Sequence, residues 1–151
     1  MNSTQTLRTT LPIGTPPSSQ PLDVIVADDE PADNLLLALA AHDAEVEMNF
    51  TFAEDGEELL QILTERVASG KAPDVVVLDI RMPRCTGLEA MELISLSASL
   101  RRIPVVMFTT SRRAADMELG LSLGVTRFEI KPSSYPELVA FANELVSVAR
   151  G

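Results

Sequence analysis

The sequence predicts an α/β fold, in which helices cover both faces of a parallel β-sheet. Two observations lead to this prediction. Short apolar segments alternate with longer amphipathic segments along residues 22–151, as expected of repeated strand–helix units. Three of the apolar segments are continuously hydrophobic, which is typical of strands that are buried on both faces of a parallel sheet.

The predicted elements follow one another in five strand–helix pairs. The strands are expected at residues 23–27, 46–53, 75–78, 105–108 and 127–130. The helices are expected to begin near residues 31, 55, 87, 112 and 136. In the first helix, Leu35, Leu36, Leu39 and Ala40 are expected to form the buried side. Residues 1–21 are rich in Ser, Thr, Gln and Pro and are predicted to be a disordered N-terminal arm, so residues 22–151 form the folded domain.

The hydrophobic patterns also predict the order of the strands. The second and fifth strands alternate apolar with polar residues, as half-exposed edge strands do, whereas the first, third and fourth are apolar throughout. The expected order is therefore 2-1-3-4-5, the flavodoxin-like arrangement of a doubly wound (βα)5 sheet. In such sheets ligands bind beyond the carboxyl ends of the strands, here between the first and third strands.

Polar residues follow four of the predicted strands at this edge. They are Asp28 and Asp29 after the first strand, Asp79 after the third, Thr109 after the fourth and Lys131 after the fifth. An Asp often opens a loop simply because it favours turns, but two strands that deliver carboxylates to one crevice indicate an acidic pocket.

This set of side chains is suited to phosphoryl transfer. Carboxylates so close together repel one another, and Mg²⁺ relieves that repulsion because it prefers oxygen ligands. A hydroxyl and an ammonium beside the metal would bind phosphoryl oxygens, and Asp79 would be the nucleophile. The expected product is an aspartyl phosphate on Asp79.

The chain resembles the receiver domain of two-component response regulators across residues 22–151. The matching residues are Asp28-Asp29, Asp79, Met82-Pro83, Gly87, Thr109 and Lys131-Pro132. The resemblance implies that Asp29, Asp79 and the backbone carbonyl of Arg81 bind Mg²⁺ directly and that Asp28 acts through water. It also implies that Thr109 and Lys131 hold the phosphoryl oxygens, and that the Lys131–Pro132 bond is cis.

Three further residues have predicted roles. Phe128 stands where the family has its rotating aromatic switch, which responds to Thr109, although a Phe on an alternating strand is also explained as a core residue. Arg81 and Ser111 each lie two residues beyond a site residue, so they are expected to tune the lifetime of the phosphate.

Composition and charge limit the partners. A net charge of −10 opposes nucleic-acid binding, and no apolar run is long enough for a membrane span. A single Cys and the lack of a recognisable secretory signal favour the cytoplasm. His42 lies far from the predicted crevice, so the phosphodonor is expected to be a partner histidine kinase. In the sequence of residues 109–111 and in the absence of an output domain after Gly151, the chain is similar to receivers that are paired with phytochrome-type kinases.

The resemblance therefore implies a phosphoacceptor rather than a dedicated enzyme. Its signal is expected to leave through the fourth helix, the fifth strand and the fifth helix. A homodimer through this face is predicted because Arg127 and Glu129 could pair with Glu137, Glu144 and Arg150 of a second copy. The alternatives are a monomer whose same face binds a kinase or target, a degenerate receiver that acts only as a binding module, and a Mg²⁺-dependent phosphatase. A flavin carrier is opposed by the acidic loop after the first strand.

Overall fold

The structure is a computed structural model, and it describes residues 5–8 and 20–151 of the chain. Its strands are β1 (Gln5–Arg8), β2 (Leu22–Ala27), β3 (Met48–Ala53), β4 (Val75–Leu78), β5 (Val105–Thr109) and β6 (Arg127–Ile130). Its α-helices are α1 (Pro31–Asp43), α2 (Gly56–Ala68), α3 (Gly87–Ser95), α4 (Ala114–Ser122) and α5 (Tyr135–Arg150), and a 3₁₀ turn spans Leu100–Arg102.

The strands form one sheet in the order β1-β3-β2-β4-β5-β6. β2 to β6 are mutually parallel and correspond to the five predicted strands, so the predicted order 2-1-3-4-5 and the flavodoxin-like fold class are confirmed. The second predicted strand, β3, is not an edge, because β1 pairs with it in the antiparallel sense.

Gln5–Arg8 forms a strand where the sequence predicted an unstructured arm. The edge of β3 offers a row of backbone N–H and C=O groups, and pairing with β1 satisfies them. Composition alone could not reveal this strand, because its structure depends on a partner that is distant in the sequence. The other residues of the predicted arm up to residue 19 lie outside the described part of the chain.

The core lies on both faces of the sheet, because successive residues of a strand point to opposite sides. The cluster under α1 and α5 includes Leu37, Val24, Val26, Phe50, Val77, Phe108 and Leu145. The cluster under α2, α3 and α4 includes Ile25, Leu59, Val76, Leu78, Met91, Ile94 and Met107. The helix α1 also contacts α5 through the Tyr135 hydroxyl, which donates to Asp43 Oδ2 at 2.6 Å.

The predicted buried side of α1 is wrong for its leucines. Leu35, Leu36 and Leu39 are exposed, at 55%, 44% and 47% of their surface, whereas Leu37 and the alanines at 38, 40 and 41 are buried. Apolar residues lie on all sides of this helix, so the pattern does not fix which side faces the core. Small alanines allow α1 to approach the sheet closely, which favours the observed orientation.

The helices begin with local hydrogen bonds that also shape the loops beside the crevice. Asp55 accepts from the Glu58 amide at the start of α2, and Thr86 and Glu89 form a capping box on α3. α4 begins two residues later than predicted, because the Arg113 amide donates to the Ser111 hydroxyl in the preceding turn.

Two further findings concern the backbone and the helix lengths. The described residues contain no cis peptide bond, so the expectation of a cis Lys131–Pro132 bond is wrong; the trans form is ordinarily the more stable one for such bonds. No helix in the described part of the chain is long and apolar enough to cross a membrane.

Candidate functional site

Three carboxylates meet at the carboxyl ends of β2 and β4. Asp28 and Asp29 follow β2, and Asp79 follows β4, the strand that pairs with β2 in the sheet. Each of the three offers an oxygen within 4.8 Å of the others. Asp28 and Asp79 are buried, whereas Asp29 is exposed. The predicted crevice between the first and third parallel strands is therefore present.

Asp28 is held by groups from the start of α1. Its Oδ1 accepts from the Glu30 amide at 3.0 Å, and its backbone carbonyl accepts from Asn34 Nδ2 at 3.3 Å. Burial raises the pKa of the Asp28 carboxyl above its usual value, although hydrogen bonds from Lys131 and the Glu30 amide partly oppose this. The nearby Asp79 carboxylate raises the pKa of Asp28 further.

Lys131 brings a positive charge into the cluster. Its ammonium donates to Asp28 Oδ2 at 2.6 Å, to Asp33 Oδ2 at 2.8 Å and to Asp79 Oδ2 at 3.2 Å. Its backbone amide donates to the Thr109 carbonyl at 2.8 Å, which fixes the end of β6 beside β5. Burial alone would lower the pKa of Lys131, but the hydrogen bonds to Asp28 and Asp33 raise it well above its usual value.

Asp33 is the site residue that the sequence analysis missed. It lies in the first turn of α1, where an acidic residue is already explained by the helix dipole. No local pattern indicates that it reaches Lys131, which is 98 residues away in the sequence. Its position five residues after Asp28 is the signal that could have suggested a contact, because it places Asp33 in the first turn of α1, at the end of the helix that lies beside Asp28.

Thr109 and Ser111 lie together at the end of β5. Thr109 is fully buried, and its Oγ1 accepts from the Ser111 amide at 3.2 Å. The Ser111 hydroxyl is also buried and donates to Asp116 Oδ2, in the first turn of α4, at 2.6 Å. The structure thus connects Thr109 to α4 through Ser111, and Ser111 is directed towards that helix.

The loop between β4 and α3 carries Arg81, which is exposed. The Ile80 amide donates to Asp79 Oδ1 at 2.7 Å, and the Gly87 amide donates to the Ile80 carbonyl at 2.9 Å. A Cβ atom on Gly87 would lie 2.0 Å from the Asp79 carbonyl oxygen. Only glycine therefore fits at this start of α3, beside the backbone of Asp79.

A second contact that the sequence did not predict fixes the far end of this loop. Arg84 has a positive φ of 64°, and its Nε donates to Asp55 Oδ2 at 2.8 Å. Burial alone would raise the pKa of Asp55, but the Glu58 amide and Arg84 hold it below its usual value. The Gly56 amide also donates to the Cys85 carbonyl at 3.0 Å, so the loop is attached to the start of α2.

Phe128 is half-buried on β6 and packs against the cluster under α2, α3 and α4. A Cβ atom on Gly120 of α4 would lie 3.4 Å from its ring. The ring is therefore in contact with α4. This position agrees with the core interpretation, and the role of Phe128 as a switch stays a prediction.

The donor set fits a divalent cation with oxygen ligands. The carboxylates of Asp28, Asp29 and Asp79 outnumber the ammonium of Lys131, and burial already disfavours the charge on Asp28. Mg²⁺ prefers carboxylate and water oxygens and requires few protein ligands, so the exposed Asp29 side of the cluster suits it. The cluster contains no Cys or His, which disfavours Zn²⁺.

Buried carboxylates, a buried hydroxyl and an ammonium at the carboxyl edge of a 2-1-3-4-5 sheet define a receiver-type signalling domain. The comparison with known families agrees. A family model for the response regulator receiver domain matches residues 24–143. The chain belongs to this family, which takes phosphoryl groups from histidine kinases in two-component systems, and the resemblance drawn from its motifs is confirmed.

Relatives and solved structures support the same assignment. The probable methanogenesis regulatory protein FilR2 of Methanothrix harundinacea (strain 6Ac) is 30% identical over 85% of this chain and 83% of its own. The phosphorylated cyanobacterial phytochrome response regulator RcpA is 25% identical, with a TM-score of 0.75 over 83% of this chain and 91% of its own.

The bacteriophytochrome response regulator AtBRR is 30% identical, with a TM-score of 0.69 over 86% of this chain and 95% of its own. Other relatives are longer. The alignment with the probable transcriptional regulatory protein TcrX of Mycobacterium tuberculosis (strain ATCC 25618 / H37Rv), 33% identical over 80% of this chain, covers 47% of that protein.

Proposed function

We propose that this receiver domain accepts a phosphoryl group from a histidine kinase on Asp79, in a reaction that depends on Mg²⁺. The observation that carries the proposal is the position of Asp79, which is buried in the carboxylate cluster with its Oδ2 atom 3.2 Å from the Lys131 ammonium. The carboxylate supplies a nucleophile, and the ammonium can donate to an oxygen of the incoming phosphoryl group.

The residues that would hold the ion are Asp29, Asp79 and the backbone carbonyl of Arg81, with Asp28 acting through water. When bound there, Mg²⁺ would neutralise carboxylate charge that otherwise repels the phosphoryl group. Lys131 and the Thr109 hydroxyl would orient the phosphoryl oxygens. The buried position of Asp79 would limit the access of water to the acyl phosphate.

The phosphodonor would come from another protein. His42, the only histidine of the chain, lies in the last turn of α1, whereas the crevice lies at the first turn of that helix. The resemblance to RcpA and AtBRR makes a phytochrome-type histidine kinase our proposed partner, in the cytoplasm.

The experiment that tests this function is incubation with acetyl phosphate, followed by intact-mass measurement. We expect one phosphoryl group on the wild-type protein in Mg²⁺ and none in Asp79→Asn or in excess chelator. Asp74→Asn is a suitable control, because Asp74 lies just before β4, at the opposite end of the strand from Asp79. Labelling that persists in Asp79→Asn would contradict the assignment of the nucleophile.

Arg81 and Ser111 are proposed to set the lifetime of the phosphate. Arg81 is exposed on the loop beside Asp79, where a long side chain could screen the phosphoryl group from water. Ser111 would act through the position of its loop, since its hydroxyl is bonded to Asp116. Replacing Arg81 by Asn and timing the loss of label tests this; an unchanged half-life would remove Arg81 from the account.

The output surface is proposed to consist of α4, β6 and α5, with Phe128 as the aromatic switch. Thr109 and Lys131 end the strands that lie under these helices, and Ser111 connects Thr109 to Asp116 of α4. A cleft of about 230 Å³ between β6 and α5 is lined by Phe108, Ile130, Phe141 and three glutamates. Movement at Thr109 would therefore reach an accessible surface.

We also propose a homodimer through this face, but not through the ion pairs between copies that the sequence predicted. Arg127 pairs within its own chain, with Glu129 at 2.6 Å and Glu144 at 3.2 Å, so these charges need no second copy. The exposed residues Met117, Leu119 and Leu121 of α4 supply apolar surface instead. Sedimentation with and without phosphate tests the dimer, and a monomer in both states would assign the face to a different partner.

A further inference from the structure

The Lys131 ammonium has three N–H donors, and the structure provides a carboxylate for each of them. Two of the acceptors, Asp28 and Asp79, belong to the cluster that suits the metal ion, whereas Asp33 does not. When an ion occupies the cluster, Asp79 would bind it directly and Asp28 through water, so Asp33 is the one acidic partner of Lys131 that takes no part in holding it.

The helix dipole alone does not explain this contact. An acidic residue in the first turn of α1 is stabilised wherever its side chain points. Asp33 instead reaches across to the end of β6, where its Oδ2 atom lies 2.8 Å from Lys131 Nζ. The Lys131 side chain is 10% exposed and the Asp33 side chain 42%, so Asp33 closes the solvent side of the ion-pair network.

We propose that Asp33 is a positioning residue for Lys131 in phosphoryl transfer to Asp79. This inference rests on the proposed function. The hydrogen bond to Asp33 holds the Lys131 ammonium at a distance of 3.2 Å from Asp79 Oδ2. This distance is longer than the other two contacts of the ammonium, so the nucleophilic oxygen is less tightly paired. When the phosphoryl group arrives, Lys131 can turn one N–H to a phosphoryl oxygen while Asp33 continues to anchor it.

The chemical step itself is conventional. In transfer from acetyl phosphate, an oxygen of Asp79 forms a bond to phosphorus, and the bond between phosphorus and the acetate oxygen breaks. Acetate leaves with that electron pair. Asp33 takes no part in bond making, so its removal is expected to slow the step and not to abolish it.

The kinetic test compares Asp33→Asn with Asp43→Asn as a matched control. Asp43 is exposed at the opposite end of α1 and accepts from the Tyr135 hydroxyl, so its variant removes the same charge and alters one hydrogen bond of α1 far from Lys131. We expect the maximal rate of phosphorylation of Asp33→Asn to fall roughly threefold to tenfold, as for the loss of one half-exposed ionic hydrogen bond.

The concentration of acetyl phosphate that gives half the maximal rate is expected to remain near the wild-type value, because Asp33 would not bind the donor. Asp33→Glu is expected to recover part of the rate, and Asp43→Asn to match wild type. If Asp33→Asn and Asp43→Asn gave the same maximal rate, the positioning role would be refuted.

A second measurement observes the contact without phosphorylation. The chain has two lysines, Lys71 and Lys131, so the ¹⁵N spectrum of its ammonium groups has an internal reference in the exposed Lys71. In the Mg²⁺-loaded protein the Lys131 signal is expected to be protected from exchange with water, and to shift and exchange faster in Asp33→Asn. An unchanged Lys131 signal would overturn the inference. If wild type took up no phosphate, the proposed function would fail separately, and this spectrum would still test the contact.

Discussion

Replacing Gly87 by Ala is expected to damage both the fold and the site. The added Cβ would lie 2.0 Å from the Asp79 carbonyl oxygen, where ordinary contact begins at 3.4 Å. Both partners are backbone, so either Asp79 or the start of α3 would have to move by about 1.4 Å. No side-chain rotation can relieve this overlap, and the cost should be near the upper end for overpacked sites, about 3 kcal/mol.

Urea unfolding and thermal melting would measure this cost. A loss of that size should lower the Tm by roughly 6–12 °C. The control is Gly120→Ala, in the interior of α4, where the new Cβ would meet the Phe128 ring at 3.4 Å. This variant should be neutral or more stable by up to about 1 kcal/mol, because Ala favours helix over Gly. If Gly87→Ala unfolded like wild type, the close approach described here would be wrong.

Three further outcomes concern the charges of the site and the ring on β6. Without divalent ions, Asp28→Asn is expected to be more stable than wild type at neutral pH, because burial raises the pKa of Asp28 and so disfavours its charged form in the folded protein. Thermal melts would measure this difference, and Mg²⁺ should stabilise wild type more than the variant. The lowered pKa of Asp55 means that its carboxylate stabilises the fold above the unfolded-state pKa of about 3.9. This stabilisation is lost as the pH falls through the folded-state pKa. Asp55→Asn keeps the helix cap, so it should lose less stability than wild type on acidification to about pH 3. Phe128→Ala should destabilise the protein by about 2 kcal/mol, less than a fully buried Phe, and equal urea midpoints for the two proteins would contradict its packing role.

Much of the site could be predicted because it depends on strand ends. Asp28, Asp79 and Lys131 each directly follow a strand, and Thr109 is the last residue of another. Parallel strands bring their carboxyl ends to one edge of the sheet. The sheet order then followed from which strands were apolar throughout. These predictions required only local sequence and the rules for parallel sheets.

Contacts between distant residues could not be predicted in this way. The pairs Asp33–Lys131 and Asp55–Arg84 depend on how helices lie across the sheet, and each residue has an adequate local explanation. The orientation of α1 was wrong because its leucines lie on several sides, so periodicity could not select the buried one. β1 was missed because four polar and apolar residues form a strand here only by pairing with β3.

The direction of β1 has a practical consequence for attaching the protein to a surface or a reporter. Gln5 pairs opposite Phe52, so this end of β1 lies at the edge of the sheet where the acidic crevice opens. α5 runs the other way, and its Val148 borders Arg127, at the start of β6. A tether joined beside the end of α5 would therefore start at the side of the sheet away from the crevice, whereas one joined at Gln5 would start at the edge where the crevice opens.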